Sequence, residues 1–226
     1  MLLDFNQTMC TERLIVILRG VPDTMLPAVL DVLYEAGIRL AEITYDMSGT
    51  VSYAHTAEMI AMASSRMAGK MYIGAGTVVT TEQVQMTADA GGTFIISPHT
   101  DTELIKNIKQ KHLYALPGAM TVSEIVAAHN AGADYIKLFP ASSLGPDFIR
   151  QVHGPLPQVK LLAVSGVSVK DVPQYLAAGA AGFGIGSAVA NRKLCLENKL
   201  DQIYKNAVSY VSACRIGGKG MGEGVK

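Results

Sequence analysis

The feature that most limits the fold of this chain is an alternation of short apolar runs with longer amphipathic or alanine-rich segments. The strand-sized apolar runs are LIVIL (14–18), LAEIT (40–44), MYIGAG (71–76), TFIIS (93–97), LYALPG (113–118), DYIKLF (134–139), KLLAV (160–164) and GFGIG (182–186). Strands that are apolar on both faces and alternate with helices indicate a parallel sheet covered by helices. Eight such units in 226 residues predict a single-domain α/β protein, a (β/α)₈ TIM barrel. A doubly wound open sheet is the alternative, because the pattern does not determine closure.

Residues that start and stop helices mark the segments between the apolar runs. Thr121 with Glu124 matches a capping box, and Thr81 followed by Glu82 is a weaker match. The glycines predicted to end helices are Gly37, Gly91, Gly132 and Gly179. No linker divides the chain, so residues 1–216 are predicted to form the barrel and the glycine-rich residues 217–226 a flexible tail.

Composition argues against several other classes of protein. Lys plus Arg and Asp plus Glu both number 19, and no basic run is present, so no nucleic-acid partner is expected. No apolar run approaches the length of a transmembrane helix, so no membrane partner is expected, and the apolar part of the N-terminus is too short for a signal peptide. Cys10, Cys195 and Cys214 are far apart in sequence, which predicts free thiols in the cytoplasm and neither a disulfide framework nor a metal site.

Polar residues and turn formers cluster where the apolar runs end. In a barrel of this kind, the groups that do chemistry lie at the carboxyl ends of the strands and in the loops that follow. The residues at those places include Arg19, Thr77, Pro98, His99, Pro117, Ser165, Gly166, Gly186 and Ser187. His99 follows a strand and is left without an assigned role.

Two charged residues, Lys137 and Glu42, lie within apolar runs, and Lys137 alternates with Ile136 and Leu138. If Lys137 points into the barrel, desolvation lowers its pKa and leaves a neutral amine that can form a Schiff base with a ketone. A carboxylate in an apolar setting, such as Glu42, has a raised pKa and suits an acid and base. A buried Lys–Glu ion pair without a catalytic role is the alternative.

The loops after the last two apolar runs are rich in glycine: SGVS (165–168) and GIGSAV (184–189). Both precede predicted helices, and backbone N–H groups at a helix start bind anions. In barrels, the loops after strands seven and eight are the usual phosphate site. Ser165, Gly166, Gly186 and Ser187 are therefore candidate phosphate ligands, with tight turns as the alternative reading.

A set of short stretches in fixed order resembles one known family. The stretches are VILRG (16–20), AEITY (41–45), IGAGTV (73–78), FIISP (94–98), LPGAMTVSE (116–124), IKLFPAS (136–142), AVSGV (163–167) and GIGSAV (184–189). They resemble the pyruvate-dependent class I aldolases of the 2-keto-3-deoxy-6-phosphogluconate and 4-hydroxy-2-oxoglutarate type. ILRG and FPASSLGPDFI are similar to the 2-keto-3-deoxy-6-phosphogalactonate branch.

The resemblance implies a (β/α)₈ barrel that forms a homotrimer and acts on a small-molecule keto acid. It implies that Lys137 is the Schiff-base lysine and that Glu42 is the acid and base, acting through water. It also implies that Thr77 helps to hold the pyruvate carboxylate, that Pro98 and Pro117 shape the pocket, and that Arg19 and the last two loops hold a phosphate. No cofactor or metal is implied, because the iminium is the electron sink.

The chain departs from the family pattern at two positions. Asp46 stands where the phosphogluconate enzymes have an arginine that contacts the substrate carboxylate, and Ser165-Gly166 replaces a pair of glycines. The predicted reaction is cleavage of a 2-keto-3-deoxy-6-phospho sugar acid to pyruvate and an aldehyde such as glyceraldehyde 3-phosphate. A phosphate-binding barrel isomerase or synthase, or a non-catalytic sugar-phosphate-binding protein, is the alternative.

Overall fold

The computed structural model describes residues 2–216, so the predicted tail, residues 217–226, lies outside the described part of the chain. Nine strands are present there: β1 (Leu14–Leu18), β2 (Leu40–Thr44), β3 (Tyr72–Gly76), β4 (Phe94–Ile96), β5 (Tyr114–Leu116), β6 (Gly118–Ala119), β7 (Ile136–Leu138), β8 (Leu161–Val164) and β9 (Gly182–Ile185). The helices are α1 (Phe5–Glu12), α2 (Leu26–Glu35), α3 (Tyr53–Arg66), α4 (Thr81–Asp89), α5 (Thr102–Gln110), α6 (Val122–Asn130), α7 (Ala141–His153), α8 (Val172–Ala177), α9 (Arg192–Leu196) and α10 (Leu200–Ile216).

The strands form one parallel sheet that closes on itself. Their spatial order is β5-β4-β3-β2-β1-β9-β8-β7-β6, so the two ends of the order are β5 and β6. These are halves of a single predicted strand that Pro117 interrupts, because proline has no N–H to donate to the ladder. The Lys137 N–H donates to Pro117 O at 2.8 Å, and the Ser97 N–H donates to Leu116 O at 3.4 Å, so this strand is bonded on both sides. The predicted TIM barrel is confirmed, and the open-sheet alternative is wrong.

Alternate strand residues divide the core into an inner and an outer layer. The inner cluster contains Ile15, Leu40, Phe94, Leu116 and Leu162, whereas the larger cluster lies between the strands and the helices. This division follows from the two-residue period of strand side chains.

Helix α1, which the sequence pattern did not predict, covers the amino ends of the strands. Its Phe5 stacks on Tyr114 at 3.9 Å between ring centroids and packs edge-on against Tyr72, and these two tyrosines begin β5 and β3. Phe5 is only 1% exposed. The amino end of the barrel is therefore packed with side chains, which leaves the carboxyl end for a site.

The predicted helix signals are mostly confirmed. Thr121 and Glu124 form a capping box, and Gly37, Gly91, Gly132 and Gly179 all have positive φ angles just beyond their helices. The weaker match at Thr81 and Glu82 is wrong: Thr81 is the first residue of α4, Thr80 is its cap, and Gln83 is the reciprocal partner. No helix within residues 2–216 is long and apolar enough to cross a membrane.

Candidate active site

Lys137 lies on the inner face of the barrel, in the middle of β7. It is 9% exposed, and its neighbours Ile136 and Leu138 are buried in the outer layer. Burial lowers the pKa of the Lys137 amine, and the nearby Arg19 guanidinium lowers it further, while Glu42 partly opposes both. Its Nζ lies 4.6 Å from the centre of the Phe139 ring. The strand thus holds a largely desolvated amine, as the sequence predicted.

Glu42 lies on the inner face of β2 and is 2% exposed. Burial raises the pKa of its carboxyl from 4.5 to about 7, against the opposing effects of Lys137, Thr44 and Arg19. The carboxylate occupies the space beside Gly76, where the β-carbon of any other residue would overlap it. Glycine at the end of β3 is therefore what makes room for an acid inside the barrel.

The two charged groups influence each other without direct contact. Within residues 2–216, no oxygen of Glu42 lies within 4.0 Å of the Lys137 ammonium, although each group shifts the pKa of the other. A buried pair that exists for stability needs close geometry to offset the desolvation of both charges. The alternative reading of a direct structural ion pair is therefore not supported by the geometry.

A cavity of about 620 Å³ opens from Lys137 toward the carboxyl ends of β8 and β9. Cavities of roughly 300–1,000 Å³ are typical of small-molecule sites. Six of the predicted site residues line this cavity: Arg19, Lys137, Ser165, Gly166, Gly186 and Ser187. The structure therefore brings the lysine and the predicted phosphate loops to one space.

Thr77 does not line this cavity, but it contacts Arg19, which does: Arg19 Nη2 donates a hydrogen bond to Thr77 Oγ1 at 3.0 Å. Thr77 has a φ of 57°, and a positive φ is an outlier for a β-branched residue. Strained backbone of this kind clusters at functional sites. The position of Thr77 beside Arg19 is consistent with a ligand-binding role.

Pro98 and Pro117 lie beside the cavity and do not line it. Pro117 accepts the backbone hydrogen bond of Lys137, and a β-carbon at Gly118 would overlap the Pro98 carbonyl. The two prolines therefore pack around the strand that precedes β7. His99 is exposed and borders an open cleft with Asp101 and Glu124, outside the Lys137 cavity.

Each glycine-rich loop precedes a helix, as predicted, but a turn separates the loop from that helix. Each loop enters a turn first, and α8 and α9 are short helices that begin at Val172 and Arg192. Within residues 2–216, the backbone N–H groups of Gly166, Ser187 and Ala188 have no acceptor, and all three residues line the cavity. The loops themselves, rather than helix starts, thus present free donors.

Several residues that support these loops were missed by sequence reasoning. Ser142 N–H donates to Ser165 O at 3.2 Å, Asn191 Nδ2 donates to Ser187 O at 3.0 Å, and Tyr210 OH donates to Val167 O at 3.0 Å. Asn191 and Tyr210, like the unassigned Phe139, also line the cavity. No local sequence signal links them to the loops, except that Phe139 directly follows the strand of Lys137.

The Asp46 carboxylate makes its hydrogen bonds within its own loop. It accepts hydrogen bonds from Ser48 N–H at 3.0 Å and Val51 N–H at 2.9 Å, and these bonds, led by Ser48, lower its pKa to about 2. It lines a second cavity of about 340 Å³, which meets the first at Arg19. Asp46 therefore shapes the β2–α3 loop and is not on the wall of the Lys137 cavity.

The comparisons with known proteins agree with this architecture. A family model described as KDPG and KHG aldolase matches residues 6–206. The chain belongs to the KDPG and KHG aldolase family. This confirms the resemblance and the carbon–carbon lyase class that the sequence predicted.

Two curated relatives of this aldolase chain cover most of its length. A probable 2-dehydro-3-deoxy-6-phosphogalactonate aldolase of Rhizobium meliloti (strain 1021) is 37% identical over 177 residues, which is 78% of this chain and 81% of the relative. The 2-dehydro-3-deoxy-6-phosphogalactonate aldolase of Escherichia coli (strain K12) is 33% identical over 204 residues, 89% of this chain and 94% of the relative. A solved structure described as native KDPGal superposes with a TM-score of 0.81 at 29% identity, covering 90% of this chain and 95% of that one.

Proposed function

We propose that this family member cleaves a 2-keto-3-deoxy-6-phospho sugar acid to pyruvate and glyceraldehyde 3-phosphate, with Lys137 as the Schiff-base residue. The observation that carries the proposal is Lys137, a lysine that is 9% exposed inside the barrel and lines a cavity of about 620 Å³. The names of the two curated relatives favour the galactonate-derived acid as the substrate.

The first stage is formation of a Schiff base. The neutral Lys137 amine attacks the C2 ketone, and loss of water from the carbinolamine gives a protonated iminium. Burial favours this step because it lowers the pKa of the amine and so increases the fraction that carries a free electron pair. Glu42, when protonated, donates the proton that lets the hydroxyl leave as water.

The second stage is cleavage between C3 and C4. Glu42, now ionised, removes the proton of the C4 hydroxyl, the C3–C4 electron pair moves to the iminium, and the aldehyde departs. Glu42, which now holds that proton, donates it to C3 of the enamine, and water then releases pyruvate from Lys137. An acid with a pKa of about 7 is present in both forms near neutral pH, so Glu42 can serve in both stages.

The remaining predicted residues are assigned to binding. We propose that Thr77 holds the pyruvate carboxylate, while Arg19 and the two loops hold the phosphate. The loop residues are Ser165, Gly166, Gly186 and Ser187, and within residues 2–216 the N–H groups of Gly166 and Ser187 have no acceptor. The guanidinium supports this role, because within residues 2–216 Arg19 makes no ion pair with a carboxylate. Pro98 and Pro117 fix the strand beside the lysine.

Covalent trapping tests the proposal. Incubation with pyruvate and borohydride should add one reduced pyruvate to Lys137, located by peptide mass spectrometry. Lys137→Arg should lose both the adduct and the cleavage activity, whereas Lys106→Arg on the exposed face of α5 should retain both. An adduct at another lysine, or none, would contradict the proposal.

A panel of keto acids tests the substrate. Release of pyruvate should be fastest with 2-keto-3-deoxy-6-phosphogalactonate, slower with the gluconate epimer, and weakest with the sugar acids that lack phosphate. Equal rates with and without phosphate would contradict the assignment of the β8 and β9 loops to the phosphate.

We also propose that the protein is a cytoplasmic homotrimer. Exposed large apolar side chains on the β6–α6 segment, Met120 at 46% and Val122 at 44%, support burial against another copy. Cys10, Cys195 and Cys214 are unpaired, which fits a reducing compartment. Light scattering after size-exclusion chromatography tests the trimeric state. Cell fractionation tests the cytoplasmic location.

A further inference from the structure

We propose that Thr44 is a positioning residue: its hydroxyl holds the Glu42 carboxylate in one orientation and favours its ionised form. The inference rests on the proposed function of Glu42 as acid and base. Thr44 Oγ1 lies 3.1 Å from Oε1 and 3.1 Å from Oε2 of Glu42. A hydroxyl equidistant from both oxygens donates its single proton to either, so it restrains rotation of the carboxylate about its last bond.

The backbone fixes this arrangement. Glu42 and Thr44 are two residues apart on β2, so both side chains point into the barrel. Strand β2 is bonded to β1 on one side and to β3 on the other, with Thr44 opposite Gly76. A β-branched side chain also has few χ1 rotamers, so the hydroxyl has little freedom to turn away.

No other group within residues 2–216 donates a hydrogen bond to the Glu42 carboxylate. The charged groups that face it are Lys137 from β7 and Arg19 from the end of β1, and both act through space. Strand β3 presents Gly74 and Gly76 on this side, which carry no titratable group. Within residues 2–216, Thr44 is therefore the one residue that donates a hydrogen bond to the Glu42 carboxylate, and this bond favours the ionised form of the acid.

The structure separates a positioning role from a merely structural one. Thr44 is half-buried at the edge of the second cavity, and valine has its shape without its hydroxyl. Valine also favours strands, so Thr44→Val keeps the backbone while it removes the donor. A structural role would change stability alone, whereas a positioning role changes the titration of Glu42.

The decisive measurement is a carbon-13 NMR titration of the full chain with labelled glutamate side chains. The Glu42 signal is assigned by its loss in Glu42→Gln. In Thr44→Val we expect the Glu42 pKa to rise by about one unit, because a hydrogen bond to the charged form is lost. Thr44→Ser, which keeps the hydroxyl, should stay within a few tenths of a unit of the parent.

The rate of cleavage provides the second readout. The limb of the kcat–pH profile that reports ionisation of Glu42 should move upward with the NMR titration in Thr44→Val, and kcat at neutral pH should fall about tenfold. Thr44→Ser should restore most of kcat. An unchanged Glu42 titration in a folded Thr44→Val protein, or an equal shift in Thr44→Ser, would overturn the inference. Failure of pyruvate trapping at Lys137 would instead overturn the proposed function. The NMR titration would still show whether the Thr44 hydroxyl lowers the pKa of Glu42.

Discussion

Gly76 illustrates how a single residue without a side chain controls the chemistry of another. Its missing β-carbon leaves the space that the Glu42 carboxylate occupies, and Glu42 in turn takes its raised pKa from that enclosed position. Gly74, two residues earlier, is opposite Phe94 in the same way and admits its ring. The small residues of β3 therefore decide which large side chains the barrel interior can hold.

At the residue scale, Gly76→Ala is expected to displace the Glu42 carboxylate, because the added methyl group would overlap it. We expect kcat/KM to fall by about 100-fold, the usual effect of misplacing a catalytic group by an ångström. Steady-state kinetics on the folded variant provide the measurement. Gly154→Ala, at a helix end with an ordinary φ of −54°, is the matched control and should keep full activity. A fully active Gly76→Ala enzyme would show that catalysis does not require the Glu42 carboxylate at its position beside Gly76.

At the element scale, the two ends of the barrel differ: the loop after β8 lies at the carboxyl end, and helix α1 covers the amino end. The loop carries Ser165 and Gly166 at φ angles of 79° and 72°, and Gly166 packs against the Ser142 side chain at the start of α7. Helix α1 carries no site residue and fills the other end with Phe5 and Met9. The carboxyl end therefore carries the cavity, and the amino end is filled with core side chains, as expected for this fold.

Gly166→Ala is expected to weaken binding of the phosphorylated substrate. The new methyl group would overlap Ser142 and the φ of 72° would be strained, so the loop must move. We expect KM for the phosphorylated acid to rise at least tenfold, about 1.4 kcal/mol in binding, while borohydride trapping of pyruvate at Lys137 persists. Gly69→Ala, with a φ of 70° but open space around it, controls for backbone strain alone. Equal KM values in both variants would show that the loop after β8 does not bind the phosphate.

Phe5→Ala is expected to destabilise the barrel without changing its chemistry. Phe5 is 1% exposed among aromatic rings, so its truncation should cost about 3 kcal/mol in unfolding free energy. Urea denaturation measures the loss, and kcat should stay near the parent value. Leu3→Ala, at a side chain 48% exposed, should change stability by about 0.5 kcal/mol or less. A similar small change at Phe5 would mean that α1 does not contribute to the core.

At the scale of the whole molecule, the charged groups inside the barrel make stability depend on pH. The pKa of Glu42 is raised from 4.5 to about 7 in the folded state, so the folded protein holds a proton that the unfolded chain releases. The stability gained from this proton is fully present below about pH 4.5 and is lost as the pH rises through about 7. A buried acid suited to catalysis is thus a cost to the fold at neutral pH.

Glu42→Gln isolates this effect. The free energy of unfolding of the variant relative to the parent should grow by about 2.5 kcal/mol between about pH 5 and about pH 8, because each pKa unit is worth about 1.4 kcal/mol. Urea unfolding at the two pH values measures the difference. Glu103→Gln, which removes an exposed carboxylate on α5, is the matched control. A constant difference between parent and Glu42→Gln would show that the acid is already ionised near pH 5.

The sequence by itself determined the alternation of strands and helices, the capping glycines, and the two charged residues within apolar runs, because each depends on neighbours a few positions away. The family stretches extended this to the aldolase class. Only the tertiary structure decided that Pro117 splits a strand whose halves close the barrel, that α1 packs against its amino end, and that Gly76 makes room for Glu42. It also showed that turns separate the β8 and β9 loops from α8 and α9, and that within residues 2–216 the N–H groups of Gly166, Ser187 and Ala188 have no acceptor. These features depend on the register between strands and helices that are distant in sequence, and no local pattern encodes that register.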